Sequence, residues 1–78
     1  MSKKDFLSEA ELAALAKKLR EKAGKKRAQA ARDMDVSQTS IFHAEESPEQ
    51  SLAKLRAKMI EKYSEFKVIG PVYYLEKK

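Results

Sequence analysis

The chain reads as a mainly α fold with a small C-terminal β element: four helices, the middle two short, followed by a β-hairpin or a single bent strand. Three observations predict it. Apolar residues recur at helical spacing from Leu12 to Ala23 and again from Leu52 to Tyr63. Between those stretches, Lys26 to Glu45 (KRAQAARDMDVSQTSIFHAE) divides into two short helical segments about Asp35 and Val36. Beyond Tyr63 the pattern changes, with β-branched and aromatic residues grouped on either side of Gly70-Pro71.

Seventy-eight residues are enough for one small domain spanning 1–78, helical over 9–63 with a β extension over 66–76. A domain of this size buries only ~60% of its unfolded surface, so a second copy would add useful apolar burial. The net charge is +5, which favours an anionic partner. Residues 1–36 carry ten Lys/Arg against six Asp/Glu, so most of the excess lies in the first half of the chain. No apolar run approaches the ~20 residues that span a bilayer, and a secretory leader pattern is missing, so no membrane partner and a cytoplasmic location are expected. There is no cysteine and one histidine, so neither a disulfide framework nor a metal site is expected, and no cofactor.

Met1 to Leu7 reads as a polar lead-in in which Lys3 and Lys4 form a basic arm or a solvated terminus. Ser8 and Glu11 have capping-box spacing and open a first helix over 9–23. Leu12, Leu15, Ala16, Leu19 and Ala23 make its apolar stripe. Lys17, Lys18, Arg20 and Lys22 fall mostly off it, and Gly24 stops it.

The second helix is expected over 27–34, with Ala30, Ala31 and Met34 sharing a face that allows close crossing. Ser37 is a good N-cap for a third helix over 38–45, in which Ile41 and Ala44 point inward. Ser47, Pro48 and Gln50 read as N-cap, first helical position and capping-box partner of a fourth helix running to Tyr63 or Ser64. Leu52, Leu55, Met59 and either Ile60 or Tyr63 form its stripe, while Lys54, Arg56, Lys58 and Lys62 read as a solvated face. In the tail, 66–69 and 72–75 read as two strands, and an isolated hairpin is marginal in water. The tail must therefore pack on its own helices, pair with a second chain, or both. Phe66, Val68, Val72, Tyr73 and Tyr74 are the dimerisation candidates.

Two short helices joined by a tight turn form a helix-turn-helix. Small residues must sit where the helices cross, and polar side chains must project from the start of the second one. Gln38, Thr39, Ser40 and His43 meet that second requirement, and a helix fits the major groove, where each base pair shows its own donors and acceptors. Lys25, Lys26, Arg27 and Arg32 supply the cations for phosphate contacts. His43 has a structural or solvated alternative, and Phe42 reads as a packing residue or a thymine contact.

From Leu12 to Leu55 the sequence resembles the helix-turn-helix family of phage repressor and Cro proteins, also called the XRE family. The matching residues are Arg27-Ala28-Gln29-Ala30-Ala31, Val36-Ser37-Gln38-Thr39-Ser40-Ile41 and Glu45. The resemblance implies that Ala31 is the crossing point and that Val36 and Ile41 are core anchors. It also implies that Gln38, Thr39, Ser40 and His43 read bases, and that Arg27 lies at a phosphate-contacting position. Asp35 stands where the family has glycine, Lys26 where it has a Ser, Thr or Asn cap, and Ala30 where it has a larger aliphatic residue. In some Cro proteins a C-terminal strand builds the dimer, and this tail is closer to that arrangement.

The expected function is a sequence-specific DNA-binding regulator of transcription, a repressor that binds double-stranded DNA as a homodimer. The alternative is a protein-interaction or antitoxin-like module that engages a protein partner through the C-terminal strands. An enzyme is not expected. No Ser/His/Asp or Cys/His set is available, and the only glycines are Gly24 and Gly70, which rules out a glycine-rich phosphate loop.

Overall fold

Ser8 opens the first helix in the computed structural model, which describes residues 6–70 and 73–78. The helices are α1 (Glu9–Lys22), α2 (Arg27–Met34), α3 (Gln38–Glu46) and α4 (Ala53–Lys62). Two strands, β1 (Phe66–Ile69) and β2 (Tyr74–Lys77), close the chain as an antiparallel hairpin. The architecture is the expected one, and the hairpin replaces the alternative of one bent strand.

Local chemistry sets most of the ends. The Ser8 N–H donates to Glu11 Oε1 at 2.8 Å, and the Glu11 N–H donates to Ser8 Oγ at 3.1 Å, which completes the capping box. Gly24, at φ 74°, ends α1 with two bonds, Gly24 N–H to Glu21 O at 2.9 Å and Lys25 N–H to Arg20 O at 3.1 Å. Lys26 has no side-chain acceptor to cap α2, but Gln29 Oε1 takes the Lys26 N–H at 2.8 Å and supplies half a box. At the other end of α2, Asp35 adopts φ 59° and ψ 48°. Its own N–H donates to Arg32 O and the Val36 N–H to Ala31 O, so Asp35 does the work usually given to glycine. Ser37 Oγ then accepts the Ser40 N–H at 3.1 Å and starts α3.

The core gathers at the crossing of all four helices. Leu12, Ala16, Ala30, Ala31, Ile41, Ala44, Met59 and Ile60 are buried. Leu15, Leu19, Met34, Val36, Leu52, Leu55 and Tyr63 pack around them. The alanines of α2 bring α3 close.

Five expectations are corrected. The fourth helix does not start at Pro48. Ser47 O instead accepts the Gln50 N–H at 3.0 Å in a tight turn, and the helix begins at Ala53. The reason is Arg56, which is not solvated but fully buried, at 0% exposure. Its Nε donates to Ala44 O at 2.8 Å, Nη2 to Ser47 O at 2.7 Å and Nη1 to Gln50 O at 2.9 Å, and Nη1 also meets Glu9. Carbonyls at the end of α3 and in the turn, which have no helical donor, are thus collected by one guanidinium. Arg20, expected off the stripe, is likewise buried.

The lead-in also does more than fill solvent. The Leu7 N–H donates to Tyr73 O at 2.7 Å, and the Phe6 and Tyr74 rings meet edge to face with centroids 5.9 Å apart. Finally, the second strand lies two residues later than expected, over 74–77. Phe66, Val68, Tyr73 and Leu75 pack against the helical core of their own chain. Lys67 pairs with Glu76, and Ile69 with Tyr74, one residue out of step along each strand from the core-facing pair Val68–Leu75. The two sets therefore point to opposite sides of the sheet. Gly70 admits the Tyr73 ring, because a Cβ there would lie 2.8 Å from it. Lys3, Lys4 and Val72 lie outside the described residues. Among the described residues no helix is long and apolar enough to cross a membrane.

Candidate nucleic-acid interface

A helix that is to read DNA must be held from behind while its outer face stays open. On α3 the inner positions are Ile41, Ala44 and Glu45, all buried. Glu45 is the unexpected member, with 0% of its side chain exposed. It accepts Arg20 Nε at 2.5 Å and Arg20 Nη2 at 3.1 Å, a fork-on-fork pair between α1 and α3. Arg20 Nη1 continues to Lys25 O at 2.7 Å, so the same guanidinium holds the loop before α2. Hydrogen bonding to Glu45 pushes the already basic Arg20 further up.

Arg27 joins this network from the start of α2. Its Nε donates to Glu45 Oε1 at 3.0 Å and its Nη2 to Glu46 Oε2 at 2.9 Å. Its guanidinium carbon lies 5.1 Å from the centroid of the Phe42 ring. Lys17 Nζ reaches Glu46 Oε2 at 2.7 Å from α1. That bond holds the Glu46 carboxyl below its usual range and raises Lys17. Arg27 is therefore already engaged by two carboxylates, unlike Lys26 and Arg32, which are exposed. Lys25 is half-buried.

The outer face of α3 follows from helical geometry. Positions 38, 39, 42, 43 and 46 share one side at about 100° per residue. Gln38, Thr39, Phe42 and Glu46 are exposed and His43 is half-buried. Three of the four expected base-reading residues, Gln38, Thr39 and His43, are brought together. Ser40 lies at the margin of this face, half-buried, with its Oγ 3.1 Å from Ser37 Oγ. Phe42, 44% exposed, takes a central place on the face instead. His43 is anchored through one nitrogen: Nδ1 lies 3.1 Å from Ser47 Oγ and 3.3 Å from Gln50 Nε2.

Sequence reasoning missed Arg20 and Arg56. A signal for Arg20 was present, since it falls on the helical repeat of Leu12 and Ala16, and an acidic partner, Glu45, closes the motif. Arg56 carries no comparable sequence signal, because its partners are mostly backbone carbonyls.

Elsewhere, a shallow depression between α2 and α4 is lined by Asp33, Met34, Lys58, Glu61 and Lys62. It is open, bears charges of both signs and takes no part in the α3 surface. Among the described residues no group of three or more His, Cys, Asp or Glu side chains could hold a metal ion. Comparisons of the chain with models of protein families, with curated proteins and with solved structures found no match.

Proposed function

We propose that this chain is a sequence-specific DNA-binding regulator of transcription, a repressor that lays α3 in the major groove. The observation that most supports this reading is the division of labour on α3. Gln38, Thr39 and His43 share one face and are not needed for the core, whereas the buried Glu45, at the edge of that face beside Gln38, fixes the helix to α1 through Arg20. Short polar side chains on a rigidly held helix are what direct readout requires. The exposed cations Lys26 and Arg32, with Lys25 between α1 and α2, supply phosphate attraction, and the net charge of +5 supplies long-range steering. The resemblance of Arg27–Glu45 to phage repressor and Cro proteins points the same way.

Two copies would place their α3 helices about one DNA turn, ~34 Å, apart on a palindromic site. The core-facing side of the hairpin already covers its own helices. Pairing is therefore proposed through the strand edges and the opposite side, which carries Ile69 and Tyr74, rather than through Phe66, Val68 and Tyr73. Selection of bound duplexes from a random pool tests the main reading, with enrichment of a two-fold symmetric motif expected and an unenriched pool contradicting it. Light scattering of an Ile69→Glu variant tests the pairing, since a variant that remains dimeric removes that face from the interface.

A further inference from the structure

The loop after α3 does not merely connect helices. Its conformation hands two side chains to the same ring nitrogen of His43. Ser47 Oγ lies 3.1 Å from Nδ1 and Gln50 Nε2 lies 3.3 Å from it. An amide nitrogen is a donor only, so Nδ1 must accept, and in the neutral ring the proton then sits on Nε2. The Ser47 hydroxyl can donate to the same lone pair. Among the described residues Nε2 has no hydrogen-bond partner, and no fully buried side-chain nitrogen is left unpaired, so Nε2 is not sealed from solvent.

The loop is itself fixed from beneath. Arg56 Nη2 donates to Ser47 O at 2.7 Å and Nη1 to Gln50 O at 2.9 Å. The backbone of both positioning residues is thus tied to a fully buried guanidinium.

We infer that Ser47 and Gln50 fix His43 as the Nε2–H tautomer, so that α3 presents a donor from its second turn and reads a purine N7. N7 is the major-groove acceptor common to adenine and guanine. The readout half of this inference rests on the proposed function; the tautomer half does not. Ser47 and Gln50 act through His43 and would touch no base.

Because His43 is the only histidine in the chain, its ring nitrogens can be followed without assignment by long-range proton–nitrogen NMR at alkaline pH. The free protein is expected to show the Nε2–H pattern. Gln50→Glu places only acceptors opposite Nδ1 and is expected to move the proton to Nδ1. A Nδ1–H pattern in the unmodified chain, or no change in Gln50→Glu, overturns the assignment.

For the readout, single purines of a selected duplex are replaced by 7-deazapurines. One position per half-site is expected to weaken binding of the unmodified chain about three- to tenfold, the loss of one neutral hydrogen bond. The same substitution should leave His43→Ala unaffected. A chain that prefers its site but responds to no 7-deazapurine overturns the N7 readout and leaves the proposed function standing. A chain with no preferred site overturns the proposed function, and with it the readout, while the NMR result still decides the tautomer.

Discussion

Arg20 and Glu45, 25 residues apart, meet as a buried two-bond pair at 2.5 and 3.1 Å that fastens the candidate reading helix to α1. The pair is buried at the edge of the face that carries Gln38, Thr39 and His43. Its loss should therefore be felt as lost fold before it is felt as lost contact.

Glu45→Ala leaves the Arg20 guanidinium buried with only the Glu21 carboxylate, 3.9 Å away and largely exposed, as counter-charge. Removing one partner of a buried pair costs about 3–5 kcal/mol, a large part of the ~5–15 kcal/mol that holds a small domain together. Urea unfolding should show a loss of unfolding free energy of that order, read as a lower midpoint. The double variant Arg20→Met/Glu45→Leu should recover most of it. A Glu45→Ala midpoint equal to that of the unmodified chain would show that the pair is not what anchors α3.

Asp35 carries the turn at φ 59°, a conformation glycine reaches without Cβ strain. Its carboxylate also lies at the unfavourable negative end of α2. Asp35→Gly should therefore stabilise the fold by about 1 kcal/mol, or roughly 4–8 °C in Tm for a domain of this size. A lower Tm would mean that the Asp35 side chain contributes more than the left-handed backbone costs.

The two classes of DNA contact should separate under mutation. Gln38→Ala should lower discrimination between the preferred and a random duplex by ~1–3 kcal/mol. Lys26→Ala should weaken both duplexes alike and reduce the slope of log affinity against log salt by roughly 0.9. Lys26 is the cleaner phosphate probe than Arg27, because Arg27 also bonds Glu45 and Glu46. Equal effects of the two substitutions on specific and random DNA would remove the assigned roles.

Tyr63 provides a test by pH. Burial first, and then its hydrogen bond to Asp33 at 2.7 Å, raises the hydroxyl above its ordinary 10.0. The neutral form is thus favoured in the folded chain. The associated stability is complete below the unfolded value and is lost as pH rises through the raised folded value. The stability advantage of the unmodified chain over Tyr63→Phe should shrink as pH rises above about 10. A constant difference in urea midpoint across that window would show that Tyr63 does not titrate with unfolding.

The fold was legible where the signal was periodic or local. The stripes of α1 and α4, the capping box at Ser8, the stop at Gly24, the Ser37 cap and the change of period at Phe66 all lie in short stretches of chain. What escaped was long-range and polar. Ser47-Pro48 has good helix-start chemistry, yet Arg56, nine residues beyond Ser47, holds its carbonyl in a turn. An arginine on a helix surface and one that gathers buried carbonyls look alike in sequence, because the difference lies in partners from other elements.

The candidate site was legible in the same measure. Gln38, Thr39 and His43 follow from the helical repeat of α3. Ser40 lies at the margin of their face, half-buried, with its hydroxyl 3.1 Å from Ser37 Oγ. The engagement of Arg27 and the attachment of Ser47 and Gln50 to His43 depend on how α2 and the loop fold back.

The most direct measurement of the central claim is a fluorescence-anisotropy titration of the full chain at moderate salt. It would compare the duplex upstream of its own coding sequence with a scrambled duplex of the same length and composition. A preference of at least about 10³ for the upstream duplex is the result predicted for specific readout by α3. Equal affinity for the two duplexes would contradict it and leave α3 as a helix that reads no sequence there.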